Sequence, residues 1–276
     1  MGFPFSSKKQ APWLQKINRW THESWVHRWI LILILCFILQ TILEATGWLS
    51  GVGVESTLLR YAALPAIQTW NIGQVWTLFS YGFLHYGAVH LLLNGLMLYF
   101  AGHMLKTFWQ DVQVARLFAL GIVAGGVAYA VASYFYPQWP PLMGASGGVL
   151  ALLLAATRMS PQMPVYVFGV LRLPLWAISL LLMLISISGL QGPNAGGNMA
   201  HLGGAAIGWI MAKNPAWLMR MNWTKRAKNA RHQRAPLHVV GKDEHDLDGI
   251  LDKISRVGYE ALTAAEKEFL ARYGKN

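Results

Sequence analysis

Acid is scarcest where this chain is most apolar. Between residues 29 and 214 the only carboxylates are Glu44, Glu55 and Asp111, each at the end of an apolar run or in a connection. No two aspartates share an apolar run and no His-Glu-x-x-His zinc motif occurs. Aspartyl and zinc-dependent peptide hydrolysis inside a membrane are therefore excluded. The one cysteine, Cys36, lies in an apolar run, which rules out disulfides and cysteine metal clusters. Charged residues make up 13% of the 276, against about 25% in soluble domains. A cleavable signal peptide is not expected either. The first apolar run starts near Trp29, is too long for such a segment and lacks a cleavage site.

What is present is apolar residue, 54% of the chain, and positive charge, net +11. The cations gather in the first 28 residues and from Lys213 onward, on either side of the apolar block. That pattern sets membrane topology; nucleic-acid binding would need a basic face on a folded domain. The fold class expected is an all-α, polytopic membrane protein with six transmembrane helices and a small cytosolic helical hairpin. The runs lie near 30–43, 83–105, 114–135, 145–158, 173–188 and 197–212. Lys106, Arg116, Arg158 and Arg172 follow the second and fourth runs, whereas the opposite connections hold only Arg60. The positive-inside rule then puts both termini in the cytosol; the expected location is the cell's inner (plasma) membrane.

Four regions follow. Residues 1–28, with Trp13, Trp20 and Trp25 among basic residues, suit a cytosolic interfacial segment. Residues 29–214 form the membrane domain, with 49–74 lying in the outer interface. Residues 215–242 are a basic linker, suited to anionic lipid. Residues 243–276 read as a helical hairpin, stopped at Gly258 and restarted by a capping box, Thr263-Ala264-Ala265-Glu266. Its partner is unknown.

The fourth run is too short to cross a bilayer. Its 13 uncharged residues from Ala145 to Thr157 make about 20 Å of helix against about 30 Å of hydrocarbon. If Arg158 marks the cytosolic edge, Ser146 lies roughly 18 Å inside. The peptide before it must line protein or a wet cavity, because lipid satisfies no backbone group. One count repeats: Asn94 is 12 residues before Lys106, Ser146 is 12 before Arg158, and His201 is 12 before Lys213. The three polar groups are thus expected at one depth, with His90 one turn above Asn94. Gly147, Gly148, Ala151 and Ala155, facing Ala200, Gly204 and Gly208, provide for close helix approach. A neutral imidazole can take the proton of a serine hydroxyl near pH 7. Donors at the developing oxyanion are available in the Asn94 amide, the His90 ring and the Ser146 N–H. With no acid nearby, the reading is a Ser146–His201 dyad. Singly, each residue has a plainer reading: a serine bonded to a carbonyl, a packing histidine. His103 reads as interfacial and Lys106 as a helix-end charge without a role.

At these residues the chain resembles the rhomboid family of intramembrane serine proteases. The matching pieces are Gln74-Val75-Trp76 with Phe79 and Phe83-Leu84-His85, then His85-x4-His90-x3-Asn94, then Gly144-Ala145-Ser146-Gly147, and Gly197-x-x-Ala200-His201-x-x-Gly204-x-x-x-Gly208. The resemblance implies Ser146 as nucleophile, His201 as general base, and His90, Asn94 and the Ser146 N–H as oxyanion donors. It places His85 at the active-site mouth. It implies substrates that are single-pass or other transmembrane proteins, in contact with membrane lipids, and no metal, nucleic acid or other cofactor. Three positions depart from the family pattern. Thr77 stands for an arginine, Lys106 for a glutamate, and Leu150 for an aromatic that packs on the histidine. The rivals are a non-catalytic rhomboid-like protein that escorts membrane clients, and a small transporter, for which no inverted repeat is found.

Overall fold

The computed structural model describes residues 11–50, 61–167, 169–220 and 247–273. The basic run 225–234, together with Glu55 and Arg60, lies outside them. The chain divides into two units, 1–222 and 223–276.

In the first unit, α1 (Pro12–Glu23) starts on a proline, whose fixed φ suits a first helical turn. Ser24 is extended and separates it from α2 (Trp25–Ser50). Next come α3 (Ala88–Lys106), α4 (Asp111–Ser133), α5 (Ser146–Met159), α6 (Leu175–Ser188) and α7 (Ala195–Met211). Among the described residues α2, α3 and α4 are long and apolar enough to cross a membrane, while α5 and α6 are shorter apolar helices.

α5 is the hub, packed against α3, α4, α6 and α7. Its side chains from Gly147 to Thr157 are buried except Leu154. Small residues make that possible. A Cβ added at Gly204 would strike the Gly147 carbonyl, and one at Gly208 the Ala151 carbonyl. The small-residue faces read from the sequence therefore meet. A third face joins them, since a Cβ at Gly125 of α4 would lie 2.9 Å from the Ala200 carbonyl.

The structure differs from the expectation in two places. The second run is helical only from Ala88, because Tyr81–Phe83 forms a 3₁₀ turn and Leu84 is extended. The fifth begins at Leu175, because β1 (Pro164–Val167) and β2 (Leu171–Pro174) pair antiparallel, with Val167 opposite Leu171. The all-α expectation is corrected to mostly helical. Val165, Tyr166 and Val167 favour a strand, Gly169 takes φ +75 in the turn, and the prolines pair at the outer end.

Lys106, read as having no role, belongs to a polar clasp. Ser24 caps α2, accepting from the Val26 N–H at 3.1 Å, and its hydroxyl donates to Asp111 Oδ1 at 2.7 Å. Asp111 Oδ2 accepts from the Trp25 N–H at 2.7 Å, and Lys106 Nζ lies 2.8 Å from Ser24 Oγ and 3.3 Å from Asp111. Three helix ends are joined there. Asp111→Ala is expected to cost about 1–2 kcal/mol, discounted from the roughly 1.5–3 kcal/mol of a hydrogen bond to a charged group. The discount reflects side chains that remain 24% and 29% exposed. A lowered thermal midpoint in detergent checks this; an unchanged midpoint contradicts it.

In the second unit, α8 (Leu247–Val257) ends at Gly258, whose φ of +83 suits glycine, and α9 (Ala264–Tyr273) follows. The expected capping box is formed. Glu266 Oε2 accepts from the Thr263 N–H at 2.7 Å, and Thr263 Oγ1 lies 3.4 Å from the Glu266 N–H. The Thr263 N–H first, then Lys253 at 2.9 Å, hold the Glu266 carboxyl down to about 2, from an ordinary 4.5. A depressed carboxyl stabilises above its unfolded value, and the contribution fades as pH falls through the folded one. The cap should therefore weaken between pH 4.5 and about 2. The Thr263 amide signal of the full chain reads this by NMR, and Glu266→Gln should remove the transition.

Candidate active site

The site is built on the loop that leads into α5. That loop finds its backbone partners in protein. Leu64 and Leu142 exchange hydrogen bonds of 3.2 and 2.8 Å. The Pro140 carbonyl accepts from the Tyr129 hydroxyl at 2.8 Å and the Pro141 carbonyl from that of Tyr86 at 3.0 Å. The Gly144 N–H donates to the Tyr81 carbonyl at 3.0 Å. Gly144 takes φ +118, and a Cβ there would lie 2.8 Å from His90 Cε1. Only glycine fits where the loop turns against that imidazole. Ser146 follows as the first residue of α5, where the N–H groups have no intrahelical acceptor.

His201 Nε2 lies 2.8 Å from Ser146 Oγ, and both residues are half-buried. His201 Nδ1 lies 3.2 Å from the hydroxyl of Ser186 on α6. A cavity of about 570 Å³ reaches this pair. His90, Asn94, Ser146, Ser186, Asn198 and His201 line it, and otherwise apolar residues of α3, α5, α6 and β1. The His90 ring stacks on Tyr86 with centroids 6.0 Å apart, and its Nδ1 has no hydrogen-bond partner among the described residues. Asn94 is buried, and its amide donates to the His90 carbonyl at 2.9 Å, one turn back on its own helix.

Four of the five residues singled out from the sequence, His90, Asn94, Ser146 and His201, thus share one cavity. His85 does not join them. It is fully buried behind His90, ring centroids 5.1 Å apart, rather than at a mouth. Its backbone is held by Gln40 of α2, which accepts from the His85 N–H at 3.1 Å and donates to the His85 carbonyl at 3.0 Å. Thr77 is buried and engaged, accepting from Trp70 Nε1 at 3.0 Å and donating to the Gln74 carbonyl at 2.8 Å. Leu150 lines the cavity as a plain apolar wall. His103 sits in a ring cluster, 4.3 Å from Tyr99 and 5.2 Å from His27.

Sequence reasoning missed Ser186 and Gln40. Each had a signal. Gln40 is an amide inside an apolar run, and Ser186 follows Ser179 by two helical turns, on one face of a greasy helix.

A mostly helical membrane protein with a hydroxyl and an imidazole paired in an apolar cavity is the class that fold and site define. The chain belongs to the rhomboid family: residues 72–214 match the model described as Rhomboid domain. Residues 241–276 match a family of unknown function, DUF6576. Rhomboid-related protein 3 of Homo sapiens is 35% identical over 82 residues, 30% of this chain and 19% of that protein. RHOMBOID-like protein 12, mitochondrial, of Arabidopsis thaliana is 24% identical over 160 residues, 52% of this chain and 48% of that protein. The matches thus span about a fifth and about half of those relatives.

Proposed function

We propose that this protein is an intramembrane serine endopeptidase that cleaves peptide bonds of transmembrane proteins through Ser146 and His201. The observation that carries the reading is the 2.8 Å contact between Ser146 Oγ and His201 Nε2 at an apolar cavity. The cavity's flanks include Leu93 on α3 and Ile185 on α6, 55% and 54% exposed, so an apolar chain can reach it from the side. The protein would cross the inner membrane six times, through α2 to α7, with both termini cytosolic. Basic residues at the matching helix ends support that topology.

In the first step the Ser146 proton passes to His201 Nε2 as Oγ bonds to the substrate carbonyl carbon. The carbonyl π pair moves onto oxygen, next to the Ser146 N–H at the positive end of α5 and next to His90 and Asn94. The C–N bond then breaks, and the leaving amine takes the Nε2 proton. Water repeats the sequence on the acyl-enzyme, returning the proton to Ser146 and releasing the new carboxyl end. Substrate spans weakened by glycine, proline or polar residues suit such a site, because unwinding a helix in lipid exposes unsatisfied backbone.

The test is incubation of the purified protein with a labelled single-span substrate in detergent. Cleavage by the native protein and none by Ser146→Ala supports the reading. Cleavage that persists in Ser146→Ala, or a native protein that binds such substrates and cuts none, overturns it. The second outcome is the behaviour of a client-escort protein.

A further inference from the structure

A dyad leaves one buried hydroxyl without a task. Ser186 is 2% exposed, on a helix that is otherwise almost wholly apolar. Its Oγ lies 3.2 Å from His201 Nδ1 and 2.9 Å from the Leu182 carbonyl one turn back. On its other side the imidazole meets Ser146 Oγ at 2.8 Å.

Counting hydrogens orders these contacts. A hydroxyl carries one hydrogen, a neutral imidazole one, and a carbonyl none. The Leu182 carbonyl can only accept, so Ser186 donates to it. Ser186 must then accept at its contact with His201, and the ring hydrogen sits on Nδ1. Nε2 is left bare and faces the Ser146 hydroxyl. In the opposite tautomer Nδ1 would compete with the Leu182 carbonyl for the single Ser186 hydrogen, and Nε2 could not accept from Ser146. One arrangement satisfies all three contacts, and it is the one a general base requires.

We propose that Ser186 is a positioning residue, the third member of a Ser146–His201–Ser186 relay that holds the imidazole with Nε2 ready to take the serine proton. The assignment rests on the protease reading of this site. Ser186 itself neither gains nor loses a proton. When Nε2 takes the Ser146 proton, the ring becomes cationic and its Nδ1–H bond to Ser186 becomes charge-assisted, so it strengthens as charge develops. A second bond holds the helix in register. Ser179, two turns earlier, lies with its Oγ 2.6 Å from Thr157 Oγ1 of α5. The Ser186 hydroxyl is thereby fixed relative to the helix that carries the nucleophile.

The test compares Ser186→Thr with Ser186→Val, which share a shape and differ in the hydroxyl. Threonine in a helix can also bond the carbonyl one turn back, as Ser186 does. Thr should keep kcat and the rate of fluorophosphonate labelling within about twofold. Val should lower both about tenfold, the size of one neutral hydrogen bond, with KM unchanged. Equal kcat in the two variants overturns the proposal. ¹⁵N NMR of His201 in the unaltered protein reads the tautomer without any variant: hydrogen on Nδ1 is expected, and hydrogen on Nε2 overturns the proposal. Because the NMR needs no turnover, a protein that cleaves nothing would refute the protease reading while the relay was still decided by the tautomer.

Discussion

Ser146→Ala is expected to lower kcat by at least about three orders of magnitude and to leave the thermal midpoint nearly unchanged. Both halves follow from the same geometry. The Ser146 hydroxyl meets His201 Nε2 at 2.8 Å. The bland role of a membrane serine, bonding a carbonyl of its own helix, is not the contact found. Stability therefore loses about one neutral hydrogen bond, on the order of 1 kcal/mol. The proposed reaction loses its nucleophile. His201→Ala should match it, because residues acting as one unit fail together and their losses do not add. Substrate cleavage with a parallel thermal scan checks both. Unfolding of Ser146→Ala would point to a structural serine.

The second large effect is on the fold. Gly204→Val is expected to give no folded protein, and Gly204→Ala a protein with a much lower thermal midpoint. The atom in the way is the Gly147 carbonyl, a backbone group that cannot rotate aside. Overpacking in a core usually costs about 1–3 kcal/mol when side chains can yield; here the two helices themselves must part. Parting them also separates Ser146 from His201, since α5 carries one and α7 the other. Activity of Gly204→Ala should therefore fall further than its folded fraction does. The thermal midpoint and kcat per folded molecule are the quantities to measure. A native-like midpoint for Gly204→Ala would mean that α5 and α7 are not packed backbone to backbone.

The parts legible in the sequence are those carried by helical spacing. The 12-residue counts group Asn94, Ser146 and His201, which line one cavity, and the glycines of the fourth and sixth runs identify their touching faces. Capping chemistry marked Gly258 and Thr263. Four things were not legible, each for a physical reason. The β-hairpin at 164–174 is two strands of four residues, too short for its alternation to stand apart from the apolar run behind it. The clasp of Ser24, Lys106 and Asp111 links residues more than 80 apart in the chain, so no local pattern announces it. His85 shares a short motif with His90, yet spacing alone does not say that one ring stands behind the other. Ser186 does not stand out, because a serine in an apolar helix most often bonds its own backbone. It does so here, to Leu182, and bonds His201 as well.

The most direct test is to treat the detergent-purified protein with a fluorophosphonate and map the modified residue by mass spectrometry. A nucleophilic hydroxyl served by an imidazole predicts one adduct, on Ser146, that disappears in His201→Ala. An adduct elsewhere, none at all, or undiminished labelling without His201 would contradict it.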